Sequence, residues 1–276
     1  MAITGNAKVF YKNYLYGLDT TSVLVSTGAS NNLVVKDKYR RWLSVGSDDT
    51  ITETIEITFP AAKTVDRIAL LIMNWKEFNA QYWNGSAYTD FAAVISDSNS
   101  TPAASLSETD NALDCKYYEF TSVLTLKVKF SITKTITTNA QKYIGNIYVG
   151  QEIGTFSDDI TSEPNSIDAF LIQGETYKTL TGLGQYQILK NAYGKFRAKI
   201  KIKRMFESND IAIVKTMFAE REVGFLLNGG TTGYTANCWD ICDFSNCLVK
   251  GDIDGNHAYG RDKTMGYNYT IELLET

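Results

Sequence analysis

Cys238, Cys242 and Cys247, with the chain's single histidine, His257, ten residues beyond the last, form the one grouping that has the residue types of a metal site. Structural zinc takes four nitrogen or sulfur ligands in a tetrahedron, and close cysteine pairs are separated by two to four residues. The Cys238–Cys242 spacing is admissible, but a second close pair is missing. The expectation is therefore no metal and free thiols, at the isolated Cys115 as well, with the three bunched cysteines packing as small apolar residues. A disulfide between two of them is a second reading, and a metal held by Cys238, Cys242, Cys247 and His257 a third.

One histidine also restricts catalysis, because hydrolytic sites commonly use imidazole as their base. The sequence has no Gly-x-Ser-x-Gly elbow, no glycine-rich phosphate loop before Lys-Ser/Thr, and no His-Glu-x-x-His. Asp48-Asp49, Asp158-Asp159 and Asp252-x-Asp254 supply carboxylates of the kind that flank a scissile glycosidic bond. Carboxylates in turns are too common to indicate an enzyme. Asp252-Ile-Asp-Gly-Asn256 begins like a calcium loop but lacks the downstream bidentate glutamate. We expect no catalytic residues and no cofactor.

Binding is the better-supported chemistry. Trp75, Tyr82, Trp83 and Tyr88 gather around Asn74 and Asn84-Gly85, and a flat amphipathic ring suits the apolar face of a sugar. Trp75 follows a strand end and precedes two polar residues, so the candidate sugar site is Trp75, Lys76, Glu77 and Trp83. The alternative for these aromatics is core packing or cross-strand pairing. Lys36, Lys38, Arg40 and Arg41 read as a solvated basic loop. Lys195, Arg197, Lys199, Lys201 and Lys203 alternate with apolar residues and so project from one face of one strand. They either guard a sheet edge or meet acidic surfaces of neighbouring subunits, and the second is expected.

The elements that must position these residues are mostly strands. Thr54–Phe59 alternates strictly, Val65–Met73 is nearly continuous and apolar, and Asn79–Trp83 leads into the Asn84-Gly85 hairpin signal. Residues 96–114 are rich in Ser, Thr, Asp and Asn, which predicts a long exposed loop. Tyr117–Phe120, Leu124–Phe130 and Tyr143–Val149 keep period two, the pattern of a β-sandwich. A polar, proline-bearing stretch at 154–166 reads as a linker between a domain over 1–153 and another over 167–276. In the second domain one segment switches period. Ser208-Asn-Asp210 caps a helix with Ile211, Val214, Met217 and Phe218 on one face, ending at Gly224. The fold class is mainly β, a jelly-roll sandwich followed by a β-barrel or sandwich domain with one packed helix.

The 276 residues are 44% apolar, 12% aromatic and 21% charged, a globular composition long enough for two cores. A net charge of −4 offers no positive field to nucleic acid. No apolar run approaches the roughly 18 residues of a membrane span, and the first residues lack a signal-peptide pattern. The chain reads as made in a cytoplasm, or assembled there into something later released.

Asn32-Leu33, Trp42-Leu-Ser44, Ile55–Phe59, Val65–Leu70, Asn74 and Ile147–Gly150, in that order, resemble the galactose-binding-like β-sandwich of the discoidin or coagulation-factor type C kind, over about residues 12–153. That resemblance implies a carbohydrate-binding module with Trp42 plugging the barrel end. The second half, with its glycine-rich turn at Gly182-Leu-Gly184, long basic strand, single helix and Phe225-Leu-Leu-Asn-Gly-Gly230 return, resembles tube and distal-tail proteins of phage tails. Together they imply a structural subunit of a phage tail or baseplate. Its partners would be other virion tail proteins, further copies in a homo-oligomeric ring, and a cell-surface glycan. A free carbohydrate-binding or adhesin protein is the alternative, and a glycan-cleaving enzyme a third reading.

Overall fold

The computed structural model describes residues 8–36, 40–96, 99–156, 167–172, 176–180, 186–190, 195–205, 208–226, 245–250 and 267–275. They fall into two compact units, one from Phe10–Ile153 and one from Gly154–Leu227 and Ile241–Thr276 with Lys8 and Val9. The described residues are mainly β, as the period-two patterning requires, with one α-helix.

Twelve strands come from the first part of the chain: β1 (Lys8–Tyr11), β2 (Val23–Val25), β3 (Trp42–Leu43), β4 (Glu53–Met73), β5 (Trp75–Trp83), β6 (Tyr88–Asp90), β7 (Val94–Ser96), β8 (Asn99–Ala103), β9 (Leu106–Glu108), β10 (Cys115–Thr135), β11 (Tyr143–Gly150) and β12 (Glu152–Thr155). β4 and β10, 21 residues each, run antiparallel along most of their length. Register shifts between Glu119 and Val123 and between Thr125 and Lys127 bend the pair, since an extra residue in one strand increases its local twist. The first half of β4 pairs with β2 (Val23 opposite Ile57) and the second half with β11 (Ile147 opposite Leu70). Ile55, Ile57 and Phe59 from one half and Ile68, Leu70 and Met73 from the other nevertheless enter the same core. The sheet therefore folds over on itself as a two-layer sandwich, and each large side chain buried between the layers contributes about 1.5–3 kcal/mol.

Trp42 is buried in that core, as expected, and its indole N–H donates to the Thr27 carbonyl at 3.0 Å. Gly28 beside it has φ +79°, and a Cβ there would stand 2.1 Å from the Leu43 carbonyl oxygen. Only glycine fits.

Residues 96–114 depart from the exposed loop expected of them. They supply β8 and β9, with Leu106 and Asn111 buried. The Asn111 side-chain amide donates to the carbonyls of Trp75 and Leu113, both at 2.7 Å. A polar composition hid this because amide side chains satisfy the buried backbone that the excursion brings with it.

The second unit contains β13 (Ile167–Ile172), β14 (Thr176–Leu180), β15 (Tyr186–Lys190), β16 (Lys195–Met205), α1 (Ser208–Glu220), β17 (Glu222–Leu226), β18 (Ser245–Lys250) and β19 (Tyr267–Glu275). Neighbouring strands follow the order β17-β18-β19-β16-β13, and β14 pairs with β15 as a separate hairpin. In α1 the buried apolar residues are Ile213, Val214 and Met217. The helix ends earlier than Gly224. Arg221 takes φ +60° and its N–H donates to the Met217 carbonyl at 3.0 Å, a left-handed terminus formed without glycine. Gly224 lies in β17 opposite Asn246. Gly154 leaves room for Ile213, whose side chain would be 2.7 Å from an added Cβ.

Candidate functional site

The sugar-site residues expected from the sequence separate into two groups. Trp75 is fully buried, edge to face with Phe78 at 5.6 Å and tilted against Phe130 at 6.2 Å. Its ring offers no face to a ligand, which corrects its expected role. The reason is a change of parity. Between Phe78 and Trp75 the pairing of β5 with β10 shifts register on both sides of Lys134, so residues three apart share the inward face. Asn74 is buried too, donating to the Gln141 carbonyl at 2.8 Å and accepting from the Tyr143 N–H at 2.9 Å.

Lys76 pairs with Asp110 at 3.1 Å and Glu77 with Lys134 at 2.5 Å. Tyr82 turns inward against Phe91 at 5.3 Å. Trp83 is half-buried and meets Tyr88 edge to face at 5.3 Å. The hairpin between them closes through the Asn84 N–H to the Ala87 carbonyl at 3.0 Å, with Gly85 at φ +102°.

From this ring pair a line of side chains extends along the outward face of β5. Phe78, Ala80 and Tyr82 point to the core, so Glu77, Asn79, Gln81 and Trp83 point away from it. Gln81 lies between Lys129 of β10 and Asp90 of β6, and Asn79 between Ser131 of β10 and Ser107 of β9. Beyond β10, Glu56 and Thr54 of β4 continue the same two rows. Gln81 donates to Asp90 at 2.8 Å, Asn84 to Thr89 at 2.8 Å and Lys127 to Glu56 at 2.9 Å. The Lys129 ammonium is 4.2 Å from the centre of the Tyr88 ring.

The charges on this face are balanced by their neighbours. Burial works to raise the Glu56 carboxyl, but the Tyr88 hydroxyl and Lys127 outweigh it and hold it below the usual range. Burial, then Glu56, push the Tyr88 hydroxyl well above the usual phenol range. That hydroxyl sits beside Glu56 without closing a well-formed hydrogen bond. The surface presents amides, hydroxyls and paired charges beside one aromatic platform. Asn79, Gln81, Lys129 and Glu56 were missed in the sequence, although they occupy the alternate positions of strands whose core face was evident.

A second charged cluster is internal. Arg67 lies among Asp66 at 3.6 Å, Glu119 at 3.8 Å and Glu152, which accepts a bond from its guanidinium. Burial raises the Asp66 carboxyl despite Arg67 and a bond from the Glu152 N–H. Elsewhere Lys142, 2% exposed, donates to the Asp48 carbonyl at 2.8 Å. Asp49 accepts from the Thr135 hydroxyl at 2.9 Å and the Asn139 N–H at 3.0 Å. The Asp48-Asp49 pair thus secures a loop.

Cys238, Cys242, His257, Asp158-Asp159 and Asp252–Asn256 lie outside the described residues, as does the side chain of Cys247. Cys115 is disulfide-bonded, which corrects the free-thiol expectation for this cysteine. Of the basic loop, Lys36 approaches the Tyr16 ring at 5.7 Å and Arg41 the Tyr143 ring at 4.7 Å, while Lys38 is outside the described residues.

On β16, Lys199 stands opposite Asp168 of β13 on one side and Glu272 of β19 on the other, and Glu272 stands opposite Lys250 of β18. Four strands thus carry a row of alternating charge. Lys195 is opposite Ile172, Arg197 opposite Phe170 and Leu274, and Lys201 opposite Thr270. Among the described residues no helix is long and apolar enough to cross a membrane, and no group of three or more His, Cys, Asp or Glu is placed to hold a metal.

The sequence matches no protein-family model and no curated protein. About half of the chain is similar to several solved structures. Chitosan-binding module 1 from a chitosanase/glucanase of Paenibacillus sp. IK-5 shares 14% identity over 50% of this chain and 98% of that chain, with a TM-score of 0.39. A CBM32 module of Clostridium perfringens shares 15% over 51% and 99%, TM-score 0.37. A fucose binding module of Streptococcus pneumoniae shares 11% over 51% and 96%, TM-score 0.36.

Proposed function

We propose that the first unit is a non-catalytic carbohydrate-binding module and that sugar lies on the outward face of β5. The observation that carries this reading is the Trp83–Tyr88 ring pair at the end of a row of amide, hydroxyl and paired charged side chains. An aromatic face packs on the C–H face of a sugar ring while planar polar groups fix its hydroxyls, and binding sites generally combine an apolar platform with a few placed polar groups. Affinity electrophoresis of the full chain through gels containing soluble polysaccharides tests the reading. Retardation by at least one polymer that is lost in Trp83→Ala, with the melting curve preserved, is the expected result; mobility unchanged in every gel would reject it.

A second reading, a phage tail or baseplate subunit in a homo-oligomeric ring with other virion tail proteins, is favoured by β16. Of its five alternating cations only Lys199 has acidic residues opposite it in the described strands. The remaining cations suit acidic surfaces of neighbouring subunits. The mass of the protein in solution and in a native particle tests this, and a monomer in every context would reject it.

A further inference from the structure

Resting on the carbohydrate reading, we infer that the ligand is an internal stretch of a linear polysaccharide, laid along β5 from Trp83 to Glu77, and not a single terminal sugar. Glu77 and Trp83 are six residues apart on one strand, which at about 3.3 Å per residue is about 20 Å. A site for one sugar gathers its polar groups around one point. Here they are strung out at every second position, with Gln81 flanked by Lys129 and Asp90, then Asn79 flanked by Ser131 and Ser107, then Glu77 paired with Lys134. The centre of this row differs from an ordinary solvated sheet face. Its middle positions are an amide between two hydroxyls, groups that match sugar hydroxyls as donors and acceptors. The aromatic platform stands only at the Trp83 end, so further sugar units would gain hydrogen bonds rather than stacking, and affinity would rise with chain length.

The test begins with laminarin, chitosan and pectin in affinity gels, followed by calorimetry with oligosaccharides of two to six units cut from whichever polymer is retained, and with the matching monosaccharide. The expected result is affinity that climbs from dimer to hexamer. Asn79→Ala/Ser131→Ala, which alters the row away from the rings, should weaken hexamer binding roughly threefold to tenfold per hydrogen bond lost and leave dimer binding unchanged. Trp83→Ala should weaken both. A monosaccharide binding as tightly as the hexamer, or a double variant with unaltered hexamer affinity and an unaltered melting curve, would overturn the extended site while the carbohydrate reading stands. Failure of all three polymers and of the monosaccharides glucose, galactose, fucose and glucosamine to bind would overturn the carbohydrate reading and this inference with it.

Discussion

The Lys129 ammonium of β10 sits over the ring of Tyr88, two strands away on β6, at 4.2 Å from its centre. Tyr88 therefore lies across the sheet face, its ring supporting a cation and its hydroxyl buried beside Glu56 without a well-formed bond. The ring and the hydroxyl can be separated by substitution. Tyr88→Phe removes a hydroxyl that helps to hold the Glu56 carboxyl low but closes no well-formed bond, and should cost less stability than Tyr88→Leu. Tyr88→Leu removes the cation–π contact and should cost about 0.5–1 kcal/mol. Urea unfolding of the two variants distinguishes the contributions.

The two tryptophans of β5 should respond in opposite ways. Trp75 is wholly enclosed by the core, so Trp75→Ala should cost about 3–5 kcal/mol through lost burial and the cavity left behind. Trp83 is only half-buried, and Trp83→Ala should change stability far less while removing sugar binding. Thermal melts paired with affinity gels make the comparison; a Trp75→Ala protein as stable as the wild type would place that ring outside the core.

Acid should act on two carboxylates in opposite senses. Burial raises Asp66 above its ordinary 3.8 despite Arg67, so its charged form weighs against the fold. Protonation relieves that penalty as pH falls through the raised value toward 3.8. For Asp49 burial also acts upward, but bonds from Asn139 and Thr135, with Lys142 nearby, bring it below 3.8. Its contribution is complete above that ordinary value and is lost as pH falls through the lowered one. Denaturant melts from about pH 6 downward should show Asp66→Asn lacking the first relief and Asp49→Asn lacking part of the later loss. Identical profiles for both variants would refute the assignment.

The charge row of the second unit predicts a reversal experiment. Lys199→Glu would set three acids side by side in register, Asp168, position 199 and Glu272. Like charges directly opposite are unfavourable, by about 0.2–1 kcal/mol per pair. Adding Asp168→Lys to Lys199→Glu should restore opposite charges between β13 and β16, leave Glu272 opposite Lys250, and recover part of the loss. A double variant no more stable than the single one would show that the row does not act through these pairs.

Much of the sandwich was legible because Thr54–Phe59, Leu124–Phe130 and Tyr143–Val149 alternate without interruption, and alternation fixes which side faces the core. The site was legible only in part. Trp83 and Tyr88 were found through the Asn84-Gly85 turn that brings them together. Trp75 was misplaced because a register shift reverses inward and outward around Lys76 and Glu77, and period two cannot show where its own phase changes. The acids facing Lys199 were missed for another reason: Asp168 and Glu272 are 31 residues before it and 73 after it in the chain, and only strand pairing brings them together.

β4 and β10 run through both layers of the first unit, so neither layer has a boundary of its own along those strands. Pulling one layer open means breaking ladder bonds in the other, because the same two backbones carry both. The sandwich should therefore melt as one cooperative block. Amide hydrogens at Ile57 and Leu70, in opposite halves of β4, should exchange with nearly the same free energy of opening, and a lesion at either end should be felt along the whole length of the strand.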